Sequence, residues 1–311
     1  MEVIRGSYNL RPRHKGCVAT IGNFDGVHRG HRALLSALKE EGARQGLPTV
    51  VMTFEPQPRE YFRGKEVPAR LTRLREKLHL LREAQVDRVL LLPFNERLAA
   101  LSADGVVDQL LVDGLGVRSL LIGDDFRFGR GREGDFAMLE AAGEQYGFAV
   151  GDLDTQALGD ERISSTRVRG ALADSDLDLA EQLLGHRYFI MGRVVYGRQL
   201  GRELGTPTVN VPLKRYRAAL EGVFAVEVDG LGGRHAGVAN IGVRPTVDGR
   251  EPLLEVHLLD WSGDAYGELL TVTFRKWIRD EQRFESIDAL REQIGRDVDS
   301  ARAFFASAAG G

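Results

Sequence analysis

The stretch Thr20-Ile21-Gly22-Asn23-Phe24-Asp25-Gly26-Val27-His28-Arg29-Gly30-His31 constrains this chain more than any other, because it passes from an apolar run into glycines and then into a helical pattern. Cys17 to Ile21 is short and rich in β-branched residues, as a buried parallel strand should be. Arg32 to Lys39 carries Leu34, Leu35 and Leu38 at helical spacing. The motif therefore reads as a strand-to-helix turn. Gly22, Gly26 and Gly30 admit backbone angles closed to other residues and let a ligand approach the main chain. The helix that follows presents unpaired N–H groups and a positive dipole end, for which phosphate is the natural guest. His28 and His31 are three apart, so a helix beginning near Val27 puts both imidazoles on one face, able to donate to phosphate oxygens. An isolated HxxH is more often a pair of solvated histidines; the strand, the glycines and the pair together favour a nucleotide-phosphate site. Two histidines without a nearby third ligand fall short of a zinc site.

The 311 residues suffice for two domains, each with its own core. A net charge of -3 gives no electrostatic reason to expect nucleic-acid binding, and 43% hydrophobic content excludes broad disorder. The single cysteine, Cys17, falls in a predicted strand, forms no internal disulfide and fits a reducing compartment. The amino terminus lacks an apolar signal core, and no run approaches the length of a membrane span. The expectation is a cytoplasmic protein with no nucleic-acid or membrane partner; the sequence does not determine its oligomeric state.

In the first half, strand-length apolar runs at Thr49 to Phe54, Asp87 to Leu92, Arg118 to Ile122 and Phe148 to Leu153 alternate with helical patterns. Leu74, Leu78 and Leu81 make one stripe, and Ser102 can cap a helix carrying Val106, Val107, Leu110 and Leu111. Repeated βα units imply a parallel sheet with helices on both faces and ligands beyond the carboxyl ends of its strands, where Gly22 to His31 and Gly123 to Gly134 both fall. The second loop contains a literal GxGxxG at Gly129, Gly131 and Gly134. It is no dinucleotide fingerprint, because it follows the fourth strand by several residues and is filled with charges. Its arginines are by default solvated, with phosphate as the functional alternative. The hydroxyls of Ile163-Ser164-Ser165-Thr166-Arg167-Val168-Arg169 sit at a helix start, where they most often cap; functionally, they and Arg169 would close on a triphosphate held by the first motif.

These three segments, in this order, resemble the motifs of the adenylyltransferase half of bacterial bifunctional riboflavin kinase/FMN adenylyltransferases, the FAD synthetases. The resemblance implies a Rossmann-like α/β parallel-sheet nucleotidyltransferase domain that transfers AMP from ATP to FMN. By that resemblance His28 and His31 are catalytic, and Gly22, Asn23, Phe24, Asp25, Gly26, Asp125, Arg127, Ser164, Ser165, Thr166 and Arg169 bind nucleotide. In-line attack on the α-phosphorus builds charge on bridging and leaving oxygens, which positioned donors stabilise without a covalent intermediate.

After an acidic helical stretch around Asp174 to Asp178 the pattern changes, and the expected boundary lies near Gly185, giving domains 1–184 and 185–311. Tyr188 to Tyr196, Val223 to Val228, Arg234 to Ile241, Leu253 to Leu259 and Leu269 to Trp277 suggest a small antiparallel β-barrel. Ser286 then starts a C-terminal helix along Ile287, Leu290, Ile294 and Val298. Gly201 to Asn210 resembles the nucleotide-and-magnesium loop of riboflavin kinases, with further agreement at Gly237 to Thr246, Leu254 to Leu258 and Ile278 to Glu281. The resemblance implies that Gly205, Pro207, Thr208 and Asn210 bind ATP, that Thr208 and Asn210 hold Mg²⁺, and that Glu255 is the base for the riboflavin 5′-hydroxyl. Strand alternation alone places Glu255 on the face opposite Leu254, Val256 and Leu258, where a glutamate is usually only solvated. Thr206 and Val209 depart from the family pattern. The expectation is a bifunctional enzyme that makes FMN and then FAD. The alternatives are an adenylyltransferase with a weak or absent kinase and a flavin- or nucleotide-binding regulator without turnover.

Overall fold

The computed structural model describes residues 1–123, 125–153, 156–196, 208–246 and 249–309. The chain forms two compact units, one of Met1–Val67 with Lys77–Ser164, the other of Pro68–Glu76 with Ser165–Gly311.

The first unit is built on six parallel strands: β1 (Glu2–Arg5), β2 (Cys17–Ile21), β3 (Thr49–Glu55), β4 (Arg88–Pro93), β5 (Val117–Gly123) and β6 (Ala149–Leu153). Their order is β1-β4-β3-β2-β5-β6. Helix α1 (Arg29–Gln45) joins β2 to β3; α2 (Pro58–Arg63) and α3 (Leu74–Glu83) precede β4. Between β4 and β5 come α4 (Glu96–Ala99) and α5 (Ala103–Val106), which runs into a π-helical segment, Val107–Leu115. Helix α6 (Phe136–Tyr146) leads to β6, and a short hairpin of β7 (Ala157–Leu158) and β8 (Glu161–Arg162) follows.

All five residues of β2 are buried, and the strand pairs in parallel with β3 on one side and β5 on the other. Its side chains join Val50, Met52, Leu90, Leu92, Leu120 and Ile122 of the neighbouring strands and Leu110, Leu111, Leu115 and Leu139 of the helices in one core. Each apolar run of the first half forms a strand as expected, and Ser102 caps α5 by accepting from Gly105 N at 3.1 Å. Strand β1 was not anticipated: Glu-Val-Ile-Arg is too short to show a pattern, and its parallel pairing with β4 makes it a strand. The stripe on α3 is rotated from the expected one, for Glu76, Lys77, Leu80 and Leu81 are buried while Leu74 and Leu78 are only partly so.

The second unit contains α7 (Ser165–Ala173), α8 (Leu177–Leu184), the antiparallel strands β9 (Phe189–Arg193), β10 (Thr208–Pro212), β11 (Gly222–Asp229), β12 (Arg234–Thr246), β13 (Gly249–Leu258) and β14 (Leu269–Arg279), and α9 (Ile287–Ala309). The strand order is β10-β13-β12-β11-β14-β9, and a bridge between Val195 and Asn210 brings the two ends of the sheet together into a nearly closed barrel. Val211, Phe224, Val226, Ala239, Ile241, Leu254, Val256, Leu270, Val272 and Phe274 alternate into its interior and are buried. On the outside, Val223, Ala225 and Val238 pack against Ala301, Val298 and Phe304 of α9. Ser286 Oγ accepts from Ala289 N, capping that helix where the sequence placed its start. Strand β10 was not expected, because Thr-Val-Asn-Val-Pro is short and interrupted by a polar residue; its pairing with β13 defines it.

A buried ion pair ties Pro68–Glu76 to the barrel. Arg215 and Glu76 are almost fully enclosed and meet at 2.7 Å; Arg215 also donates to the carbonyls of Arg70 and Leu71 and to the Tyr188 hydroxyl, while Glu76 accepts from Met191 N. Removing one partner strands the other charge in a dry interior. Arg215→Ala is expected to lower the denaturant-unfolding free energy by about 3–5 kcal/mol. A Glu76→Leu/Arg215→Met pair is expected to recover much of that loss, as read from urea midpoints.

Candidate active sites

The turn after β2 is more strained than its glycines require. Gly26 has φ +85°, but Phe24 and Val27 also take positive φ, of 48° and 43°. For a β-branched residue such as Val27 this is a costly backbone state that only the surrounding packing maintains. Phe24 and Val27 are fully buried, so the core holds the turn in place. Asp25 is buried as well, and the Asn23 carbonyl accepts from Thr53 Oγ1 at 3.4 Å.

Helix α1 begins at Arg29 rather than Val27. His28 is its N-cap, with extended backbone, and its Nδ1 accepts from the His31 main-chain N–H at 3.4 Å. With Nδ1 accepting, the neutral form of the His28 ring carries its proton on Nε2. The two imidazoles are not merely on one face: they stack, with centroids 3.7 Å apart and planes inclined by 17°. Phe24 lies beside His31, with ring centroids 5.0 Å apart and planes tilted by 44°. Gly30 leaves room beside them, since a Cβ there would sit 3.2 Å from His28 Nδ1 and press on the ring.

His31 is held neutral. Burial pushes its pKa well below the ordinary 6.5, and the neighbouring His28 and Lys77 push in the same direction. Its Nδ1 is buried without a hydrogen-bond partner. Lys77 is fully buried and donates to Thr53 Oγ1 at 3.3 Å, which links it through Thr53 to the turn at Asn23. Sequence reading passed over this lysine, although Leu74, Lys77 and Leu81 share a helical face and a lysine on an apolar stripe was the available signal. Cys17, in contrast, contributes no chemistry: burial raises its thiol to about 12.

The start of the third segment approaches this turn within the first unit. The Ile163 carbonyl lies 3.8 Å from the position of a Cβ on Gly30, which places Ile163 and Ser164 beside the start of α1. Asp125 is exposed and pairs with Arg162 at 3.0 Å, whereas Arg127 pairs with Asp135 at 2.8 Å. The GxGxxG loop closes on itself through paired bonds between Phe128 and Gly134, as a solvent-side turn and not a dinucleotide cradle. Ser165, Thr166 and Arg169 stand on α7 in the second unit, where Arg169 Nε donates to the Ala69 carbonyl. At the carboxyl ends of β3 and β4, Phe54, Tyr61, Phe62 and Phe94 form an edge-to-face cluster, with Phe62 67% exposed.

In the barrel, strand register assembles a second polar group. Asn210 of β10 and Asn240 of β12 each pair directly with Glu255 of β13, and Thr208 pairs with His257. Directly paired residues share a face, so these side chains line the outside of the barrel while Val211, Leu254 and Val256 fill its inside. Val209 pairs with Val256, on the inward face away from this row. The Asn210 carboxamide oxygen is buried and accepts no hydrogen bond, which suits a hard cation that prefers oxygen ligands; Thr208 lies two residues along on the same face. Gly205, Thr206 and Pro207 fall outside the described residues.

A parallel α/β sheet with a phosphate-receptive strand-to-helix turn, followed by a β-barrel with an acid–amide row on its outer face, defines a two-part nucleotide-dependent transferase. The comparisons agree. The FAD synthetase family matches residues 10–167 and the riboflavin kinase family residues 184–305. Bifunctional riboflavin kinase/FMN adenylyltransferases from Escherichia coli K12 and Pseudomonas fluorescens are 57% and 55% identical, the first over 98% of both chains and the second over 99% of both. The crystal structure of a macrolide-efflux protein from Streptococcus pneumoniae has a TM-score of 0.82 and 28% identity, covering 97% of this chain and 99% of that one. The chain belongs to the bifunctional riboflavin kinase/FMN adenylyltransferase family.

The lowered pKa of His31 has a thermodynamic consequence. Once unfolded, the group takes up a proton near its ordinary 6.5, whereas folded it resists until lower pH. The unfolded state thus binds more protons below about pH 6.5, and stability falls as pH drops until the folded group also protonates. Denaturant midpoints taken from pH 7.5 to 5.5 are expected to fall less steeply for His31→Asn than for the unaltered chain.

Proposed function

We infer that this chain phosphorylates riboflavin to FMN in its barrel and adenylylates FMN to FAD, releasing pyrophosphate, in its parallel-sheet half. The observation that carries the reading is that each family match contains its own polar group of suitable chemistry: His28 with His31 in one, Asn210 with Glu255 in the other. We assign residues 1–184 to adenylylation and 185–311 to the kinase. The change of pattern near Gly185 and the start of the kinase match at 184 support that division.

For adenylylation, an FMN phosphate oxygen attacks the α-phosphorus of ATP, and the bond to the β-phosphate oxygen breaks. His28 Nε2–H donates to the oxygens that gain charge, and the neutral His31 stacked on it adds no positive charge against the ring. The start of α1 and the main chain from Gly22 to Gly26 receive the phosphates, with Ser164 beside them, and we assign Ser165, Thr166 and Arg169 to the nucleotide by the family resemblance. Phe24 acts from inside, by fixing His31. Asp125 and Arg127 serve the nucleotide only by exchanging their present ion pairs for it. The aromatic cluster at Phe54 to Phe94 offers the isoalloxazine ring an apolar surface at the same edge of the sheet.

For phosphorylation, Glu255 takes the proton of the riboflavin 5′-hydroxyl while that oxygen attacks the γ-phosphorus and ADP leaves. Thr208 and Asn210 would hold Mg²⁺, which when bound neutralises phosphate charge; Gly205 and Pro207 would border the nucleotide. A cytoplasmic setting, where ATP is made available, and the absence of nucleic-acid or membrane partners belong to the same proposal. Among the described residues no helix is long and apolar enough to cross a membrane.

The test is to incubate the purified chain with ATP and Mg²⁺, with riboflavin in one tube and FMN in another, and to separate the flavins over time. Glu255→Gln is expected to slow FMN formation about 100- to 10,000-fold while sparing FAD formation from FMN. His28→Ala is expected to slow FAD formation about 100- to 1,000-fold and spare the kinase. Equal loss of both reactions in either variant contradicts the assignment.

A further inference from the structure

We propose that Asn240 is a flavin contact of the kinase: its carboxamide oxygen accepts a hydrogen bond from the ribityl hydroxyl adjacent to the one that Glu255 deprotonates. The proposal rests on the reading of Glu255 as the base.

Register supplies the placement. Glu255 stands in the central strand of three, with Asn210 directly opposite on one side and Asn240 directly opposite on the other. All three project from the outer face, and neighbouring strands lie about 4.8 Å apart. Both carboxamide oxygens, Asn210 Oδ1 and Asn240 Oδ1, are shielded from water and accept no hydrogen bond. A buried acceptor left empty is costly, and native proteins seldom leave one without a reason. Here two such acceptors flank the same carboxylate.

Asn240 does not owe its position to chance at a loose edge. Val238, two residues before it on the same face, packs under α9 with Val223 and Ala301. Gly242, two residues after it, leaves a space that the Glu281 carboxylate fills. The side chain is therefore held between an apolar cluster and an acid, neither of which donates to its oxygen.

What fills an empty acceptor must be a donor. The phosphates of ATP carry none, and the cation-suited oxygen of Asn210 lies two strands away on the far side of Glu255. The ribityl chain is a run of vicinal hydroxyls, each both donor and acceptor. With the 5′-hydroxyl at Glu255, the 4′-hydroxyl is the one able to reach the acceptor on the next strand. This contact orients the terminal carbon, so that the attacking oxygen points away from Asn240 and toward the nucleotide side marked by Asn210. It also discriminates, since an analogue without that hydroxyl leaves the amide oxygen unfilled.

The test is a cycle that pairs a substitution with a substrate lacking one group. Initial rates of phosphorylation are measured with riboflavin and with 4′-deoxyriboflavin, for the unaltered full-length chain and for Asn240→Ala. Loss of one neutral hydrogen bond predicts about a tenfold fall in kcat/KM for Asn240→Ala with riboflavin. A similar fall is expected for the unaltered chain with the deoxy analogue, and no further fall when the two changes are combined. An unchanged urea-unfolding midpoint reports that the barrel is folded, and FAD formation from FMN, which belongs to the other half, is expected to be unchanged. Asn240→Asp, which keeps an acceptor in place, is expected to retain the discrimination against the analogue; it takes the place of Asn240→Ala if that variant fails to fold. Additive losses, or a kcat/KM for riboflavin that Asn240→Ala leaves unaltered, overturn the proposal. Glu255→Gln is run alongside: full kinase activity in it removes the base, whereas an additive cycle with an inactive Glu255→Gln removes only the Asn240 contact.

Discussion

The pairing of β2 with a parallel strand on each side is the constraint from which the first half follows. Its backbone groups are engaged by β3 and β5 and its side chains are buried, so the strand can neither shift nor fray. The chain has to leave the sheet at Gly22 and enter α1 at Arg29, and the space between is short enough that Phe24 and Val27 accept unfavourable backbone angles. Those angles put Phe24 under His31 and leave His28 as the helix cap. Strain, capping and ring stacking are thus one arrangement, in which a rigid sheet fixes two imidazoles that a freely solvated loop would let rotate.

The barrel solves its positioning problem by other means. No strained turn is needed, because antiparallel register itself sets which side chains are neighbours. Glu255 is flanked by two amides for the same reason that Leu254 and Val256 face the interior: side chains on a strand alternate, and paired strands keep count. A slip of one residue would carry the glutamate inside and a valine out. The apolar interior therefore enforces the polar row.

Much of this was legible in the sequence. The strand-to-helix turn, the parallel strands of the first half and the alternation around Glu255 are written in local patterns of apolar residues and glycines. The exact cap at His28 was not, since helix starts are set by one or two backbone angles that no periodicity records. Lys77 was hidden by its type: a lysine on a helical stripe reads as a boundary residue until packing shows it enclosed. Asn240 lies within the Gly237 to Thr246 stretch, where nothing local marks it, because its significance lies in a partner across the sheet, fifteen positions along the chain. Strands β1 and β10 are likewise defined by what they pair with.

The separation of interior and exterior in the barrel bears on how such a chain can change over generations. The residues that keep the barrel folded point inward or pack under α9, and those proposed to serve the reaction stand on the outer row beside that cluster, so the two sets share few members. Drift on the outer row can silence or redirect phosphate transfer while the domain still folds and still accompanies its neighbour. A lineage supplied with FMN from elsewhere has a route to losing the first reaction without losing the second. The parallel-sheet half offers less latitude, for there the residues that shape the turn and those proposed to meet the ligand are the same few.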